Sequence, residues 1–147
     1  MTGLRLGWAI GPKSVMPEIV KMHGWTTSCA STFAQRVAFE IFAAKALDAQ
    51  SAWYAAQRDA VVELARASGL PFVEPDGAFY VCLNAGVPDT IAFCHALIDE
   101  RDVVAVPGSI FASTMEGWLR TSFVAPLEKI AEGYRRIASL AHVEVAT

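Results

Sequence analysis

Strand-like and helix-like segments alternate along this 147-residue chain, predicting an α/β or α+β fold with helices laid on a sheet. Three observations carry that expectation. From Pro126 onward, Leu127, Ile130, Ala131, Tyr134, Ile137, Ala138 and Ala141 keep an unbroken helical stripe. Short apolar runs bounded by turn residues, "FYVCLN" (Phe79–Asn84), "VVAV" (Val103–Val106) and "WLRTSFV" (Trp118–Val124), read as strands. A long alanine-rich stretch between Asp48 and Gly69 has the length and charge spacing of a helix.

In chain order, "GLRLGWAIG" (Gly3–Gly11) reads as a short buried strand ending at Gly11-Pro12. Ser14 is placed to cap a helix running to about His23, with Gly24 as its stop. "TTSCAS" (Thr26–Ser31) is small and polar, a loop. A helix then spans Phe33 to about Leu47, with Phe33, Val37 and Ile41 on one face and Arg36 set to pair with Glu40. The next, capped by Asp48, runs from about Ala49 to Ser68 and lines Trp53, Ala56, Ala60, Leu64 and Ala67 along one side. Gly69 ends it and Pro71 prevents continuation. The turn "PDG" (Pro75–Gly77) leads into the first of the later strands. Pro88-Asp89 starts a helix reaching about Arg101. The first thirty residues, a lone strand and helix, belong poorly to such a fold.

Apolar residues make up 54% of the chain and charged residues 18%, a globular composition with an apolar excess. Such an excess fits a domain part of whose surface meets something else. The net charge of −3 and the lack of a basic tract argue against nucleic acid or an anionic membrane as partner. No run reaches the length of a membrane span, and the N-terminus lacks the layout of a secretory signal. Three cysteines, Cys29, Cys82 and Cys94, form an odd count without CxxC spacing, and a cytoplasmic location is expected.

Two arginines stand out as candidate binding residues. Arg5 lies in an apolar run between Gly3 and Gly7, whose missing side chains leave room for a bulky group near the backbone. Arg120 shares a strand face with Trp118 and Ser122. A guanidinium buried in such a place needs an anion, because an unpaired buried charge is costly. The anion is either a ligand or an internal Asp or Glu, and spacing alone leaves both open. For a ligand carboxylate, the guanidinium offers two parallel hydrogen bonds that lysine cannot imitate. Cys94 and His95 point to different sides of one helix and make a poor metal site, so no metal is expected. His23, on the Met16/Ile19/Val20 face, reads as a packed histidine. "PGSIF" (Pro107–Phe111) lacks the ending of a phosphate loop and reads as a tight turn.

Taken in order, "MTGLRLGWAIGP", "SCASTFAQ", "PDGAFYVCLN", "VVAVPGSIF" and "WLRTSF" resemble the fold-type I, class I/II aminotransferases, which depend on pyridoxal 5'-phosphate. The resemblance spans essentially the whole chain and is closest to the aspartate/aromatic branch. It implies the C-terminal portion of that fold, a small mixed or antiparallel sheet covered by helices, with a long interdomain helix. Residues 1–32 would end the large cofactor-binding domain, 33–68 would be connecting helices, and 69–147 the small domain. Arg5 occupies the position that binds the cofactor phosphate, and Arg120 the position that grips the substrate's α-carboxylate. Trp8 stands at a position often aromatic in the family and is expected to pack. Ser28-Cys29-Ala30 replaces the Ser-Asn-Pro of many members, close to where relatives meet in a homodimer.

The same resemblance implies an absence. At the family's spacing, the lysine that carries the cofactor as a Schiff base falls before Met1, and Lys13, Lys21, Lys45 and Lys129 all lack its context. No residue of this chain is therefore expected to be catalytic. Transfer of an amino group between an L-amino acid and a 2-oxo acid is implied for the complete enzyme, and inactivity for the fragment. The alternative is a non-catalytic, aminotransferase-like effector or partner-binding domain.

Overall fold

In the computed structural model, which describes residues 2–145, a four-stranded antiparallel sheet sits at the centre of the larger of two compact units, Ser51–Thr147. Its strands are β1 (Phe72–Val73), β2 (Tyr80–Asn84), β3 (Val106–Pro107) and β4 (Trp118–Ser122), in the spatial order β1-β2-β4-β3. The longest pairing, β2 with β4, sets Tyr80 opposite Ser122, Cys82 opposite Arg120 and Asn84 opposite Trp118. Directly opposed residues share a face, so Val81, Leu83, Leu119 and Thr121 form one face and Tyr80, Cys82, Asn84, Trp118 and Arg120 the other. The first set is buried and the second half-buried.

The buried face is covered by α3 (Asp48–Ala67), of which Ser51 onward belongs to this unit, α4 (Thr90–Arg101) and α5 (Leu127–Val145). Val61 and Ala65 of α3, Phe93 and Leu97 of α4, and Ile130, Tyr134 and Ile137 of α5 join Val81, Leu83, Leu119 and Phe123 in one core. Each large side chain so buried is worth about 1.5–3 kcal/mol. Polar groups are also built into this core. Thr121 Oγ1 donates to the Val81 carbonyl at 3.1 Å and meets the Tyr134 hydroxyl at 3.0 Å. Burial of Tyr134 pushes its hydroxyl above the usual phenol range. The Gln57 amide donates to the carbonyls of Phe123 at 3.1 Å and Ala125 at 2.8 Å, satisfying backbone that leaves the sheet after β4.

Local chemistry explains the element ends. Asp89 caps α4 by accepting from the Ala92 N–H at 2.9 Å, and Asp102 ends it in the left-handed conformation at φ 52°. Gly69, at φ 77°, closes α3.

The smaller unit, Met1–Gln50, holds α1 (Met16–Thr26) and α2 (Thr32–Ala43). Ser31 caps α2, accepting from the Ala34 N–H, and Arg36 pairs with Glu40 at 2.9 Å as expected. The unit has almost no interior. Ala34 is its one buried residue among those described, and α1 buries none. Large apolar side chains lie on the unit's surface, with Ile10, Trp25, Phe33 and Phe39 all exposed.

Several expectations are corrected. Gly3–Gly11 forms no strand: a 3₁₀ turn at Thr2–Leu4 gives way to irregular backbone. A strand needs a neighbour for its peptide groups, and no described segment pairs with this one. Ser14 does not cap α1, which starts at Met16. Pro17, in its first turn, needs no N–H partner there, and the Val15 and Met16 amides both donate to the Pro12 carbonyl. Gly24 lies inside that helix, and His23 is exposed rather than packed. α2 stops at Ala43, short of Leu47. On α3 the buried stripe is Gln57, Val61, Val62 and Ala65, leaving Trp53 exposed. Of "VVAV", only Val106 enters the sheet, joined by Pro107, and β1 was not anticipated.

Candidate functional site

Alternation along Trp118–Ser122 puts Arg120 on the half-buried face of β4, flanked in register by Cys82 of β2 and Val106 of β3. Two aromatic rings meet its guanidinium. The Arg120 Cζ lies 4.3 Å from the Tyr80 ring centroid and 4.7 Å from that of Phe111, over the face of each. Tyr80 is the diagonal cross-strand neighbour, two residues from Cys82 on the same face. Phe111 arrives from the turn after β3, where its N–H donates to the Gly108 carbonyl at 2.9 Å.

Gly108 fixes that turn. A Cβ there would lie 2.5 Å from the Met115 carbonyl oxygen and 2.7 Å from that of Trp118, so only glycine fits. The "PGSIF" stretch is thus a tight turn, as its sequence suggests.

No acidic side chain among the described residues pairs with Arg120. Its Nε is buried and has no hydrogen-bond partner among the described residues, and the same holds for Ser109 Oγ in the turn after β3. A buried donor left unmade costs about 1–3 kcal/mol, more when charged. The surrounding aromatic faces contribute cation–π attraction, but neither supplies an acceptor in the guanidinium plane. The arrangement suits a planar anion arriving edge-on, for which a guanidinium fork offers two parallel N–H bonds.

Arg5 is placed differently. It lies in the smaller unit, exposed, at φ 51°, just after the 3₁₀ turn. No acidic partner among the described residues holds it. A Cβ added at Gly3 or Gly7 would meet nothing within 4 Å, so the space beside Arg5 is open. Trp8 packs its ring edge against Phe42, centroids 5.2 Å apart, yet remains largely exposed.

A cavity of about 470 Å³ lies elsewhere, between β4 and α5, lined by Thr121, Lys129, Glu132 and Arg136 among others; Arg120 does not line it. Arg135 and then Arg136 hold the Glu132 carboxyl down to about 2. Glu132 and Arg136 satisfy each other, and among the described residues this cavity has no buried donor left without a partner. The Tyr80 and Phe111 rings beside Arg120 escaped sequence reasoning. Tyr80 is placed by the β2–β4 register, which alternation within one strand does not give, and the reach of Phe111 depends on a turn that only the Gly108 packing defines.

Comparison with known proteins matches the chain to one family. A profile of the family "Aminotransferase class I and II" fits residues 1–137. The chain is 36% identical over 141 residues to an aspartate aminotransferase of Thermotoga maritima, covering 93% of this chain and 35% of that protein. It is 34% identical over 149 residues to aromatic-amino-acid aminotransferase 2 of Thermococcus litoralis, covering 93% and 37%. Among solved structures, an aromatic aminotransferase from Pyrococcus horikoshii superposes with a TM-score of 0.75 at 29% identity, over 100% of this chain and 41% of that one. The chain thus spans little more than a third of the length of these curated relatives. With its profile matched over nearly its whole length and its fold shared with solved members, the chain belongs to the class I and II aminotransferases.

Proposed function

We propose that this chain is the portion of a pyridoxal 5'-phosphate-dependent aminotransferase that follows its cofactor-bearing lysine. The whole enzyme would move an amino group between an L-amino acid and a 2-oxo acid. The observation that carries the reading is Arg120, a half-buried guanidinium with an unmatched Nε–H and no acidic partner among the described residues. That is the state expected of a group reserved for a substrate carboxylate. Relatives named for aspartate and for aromatic amino acids support an L-amino acid as the carboxylate's bearer.

In this reading Arg120 grips the α-carboxylate by two hydrogen bonds and fixes the orientation of the amino acid. Arg5, exposed beside the open space at Gly3 and Gly7, binds the cofactor phosphate. Once bound, the cofactor supplies an electron sink for the pair left at the substrate's α-carbon. The proton removed there needs a base, and neither clamp is one; in this reading the base is the cofactor-bearing lysine ahead of this portion, and the portion by itself is inactive. Residues 1–32 close the large domain, 33–68 connect, and 69–147 form the small domain. The exposed apolar surface of the first unit supports a homodimer, and the odd, unpaired cysteines support a cytoplasmic enzyme.

Replacing Arg120 with lysine in the intact aminotransferase tests the assignment. Loss of a charge-assisted bond costs about 1.5–3 kcal/mol, so amino-acid affinity is expected to fall about 10- to 150-fold with the fold intact. Unchanged affinity refutes the clamp. A full-length protein that binds the cofactor but turns over no amino acid would instead favour a non-catalytic effector domain.

A further inference from the structure

We infer that Tyr80 and Phe111 are positioning residues for Arg120, acting on a bound carboxylate through the guanidinium and not by touching it. This rests on the reading of Arg120 as a carboxylate clamp. The Cζ stands over both rings, at 4.3 and 4.7 Å, while no carboxylate among the described residues fixes it. An arginine has rotamer freedom to lose on binding, and whatever freezes it beforehand lowers the cost of gripping a ligand.

An acidic neighbour would freeze it too, but would occupy the donors and compete with the substrate. Aromatic faces hold the cation from above its plane and leave the in-plane N–H groups free. Both rings are set by rigid parts: Tyr80 by the β2–β4 register, Phe111 by the turn that Gly108 alone can make. The expected consequence is discrimination for the carboxylate itself.

The test compares two ligands that differ by one carboxylate, on the intact aminotransferase, by titration calorimetry: 3-phenylpropionate and 3-phenylpropan-1-ol, the second of which has no carboxylate left for Arg120. Phe111→Leu and Tyr80→Leu should each weaken the acid about 3- to 30-fold, from the span of cation–π strengths, and leave the alcohol within about twofold. Phe111→Tyr and Tyr80→Phe, which keep the rings, should retain the wild-type ratio. A merely structural role would lower both ligands together. Phe111 is half exposed on its turn, so Phe111→Leu keeps the experiment decisive even should Tyr80→Leu fail to fold. If Arg120→Lys collapses the ratio and the leucine variants do not, the rings only pack and this inference is overturned. If Arg120→Lys itself leaves the ratio unchanged, or the wild type binds acid and alcohol alike, the clamp reading fails first.

Discussion

The hydroxyls of Thr121 and Tyr134 meet 3.0 Å apart inside the core, joining β4 to α5, and Thr121 also donates to the Val81 carbonyl. Thr121 Oγ1 has one proton, so the Tyr134 hydroxyl donates and Thr121 passes the chain on to β2. The two ends of this relay are unequal. Tyr134→Phe leaves Thr121 still bonded to Val81, whereas Thr121→Val removes that side-chain bond and leaves the buried Tyr134 hydroxyl without its acceptor. Thr121→Val is expected to cost about 1–3 kcal/mol, Tyr134→Phe less, and the double variant less than the sum. Urea melts of the four proteins check the order.

How much of this was legible in the sequence depended on whether the deciding contact was local. The start of α4 at Pro88-Asp89, the Arg36–Glu40 pair and the stripe of α5 from Ile130 to Ala141 rest on neighbours within a turn, and they stand as read. The Gly3–Gly11 strand failed because a strand is specified by its partner as much as by its own residues. The face of α3 was misread because alanine is equally at home on either side. Val61, Val62 and the Gln57 amide, drawn to carbonyls 66 and 68 residues away, decide it. Arg120 was legible from alternation, but the rings that hold it required the β2–β4 register and the packing of Gly108.

Gly108 supports a sharper prediction. Its absent Cβ would press on two backbone oxygens, which cannot swing aside as a side chain can. Gly108→Ala is expected to cost about 1–3 kcal/mol or more by overpacking. The loss should appear as a lowered thermal midpoint, together with weaker carboxylate binding as Phe111 is displaced. Gly77→Ala is the control: its Cβ meets nothing within 4 Å, and its backbone is not left-handed, so it should be close to neutral.

Glu132 gives the fold an acid-sensitive tie. Its carboxyl is lowered from an ordinary 4.5 to about 2, first by Arg135 and then by Arg136, and Arg136 also donates to the Arg101 carbonyl at the end of α4. A carboxyl depressed in the folded state stabilises the fold fully above its unfolded value, and the contribution disappears as pH falls from about 4.5 through about 2. The group is well exposed, so the effect is modest and screened by salt. The difference in midpoint between wild type and Glu132→Gln should shrink between neutral pH and the bottom of that window. A difference that stays constant would mean the pair contributes nothing.

The two units should differ most plainly in hydrogen exchange. α1 has 11 residues and buries none of them, and α-helices shorter than about 12–15 residues are marginal without packing. Its amides therefore open locally and should exchange far faster than those of α4 and α5, which border the core and should open only with the whole unit. Mass-resolved exchange on this chain is expected to show Met16–Thr26 fully labelled while Thr90–Arg101 remains largely protected. Strong protection of α1 that weakens on dilution would instead mean that copies of the chain cover one another's exposed Trp25 and Val20. Protection independent of concentration would contradict the absence of buried contacts along that helix.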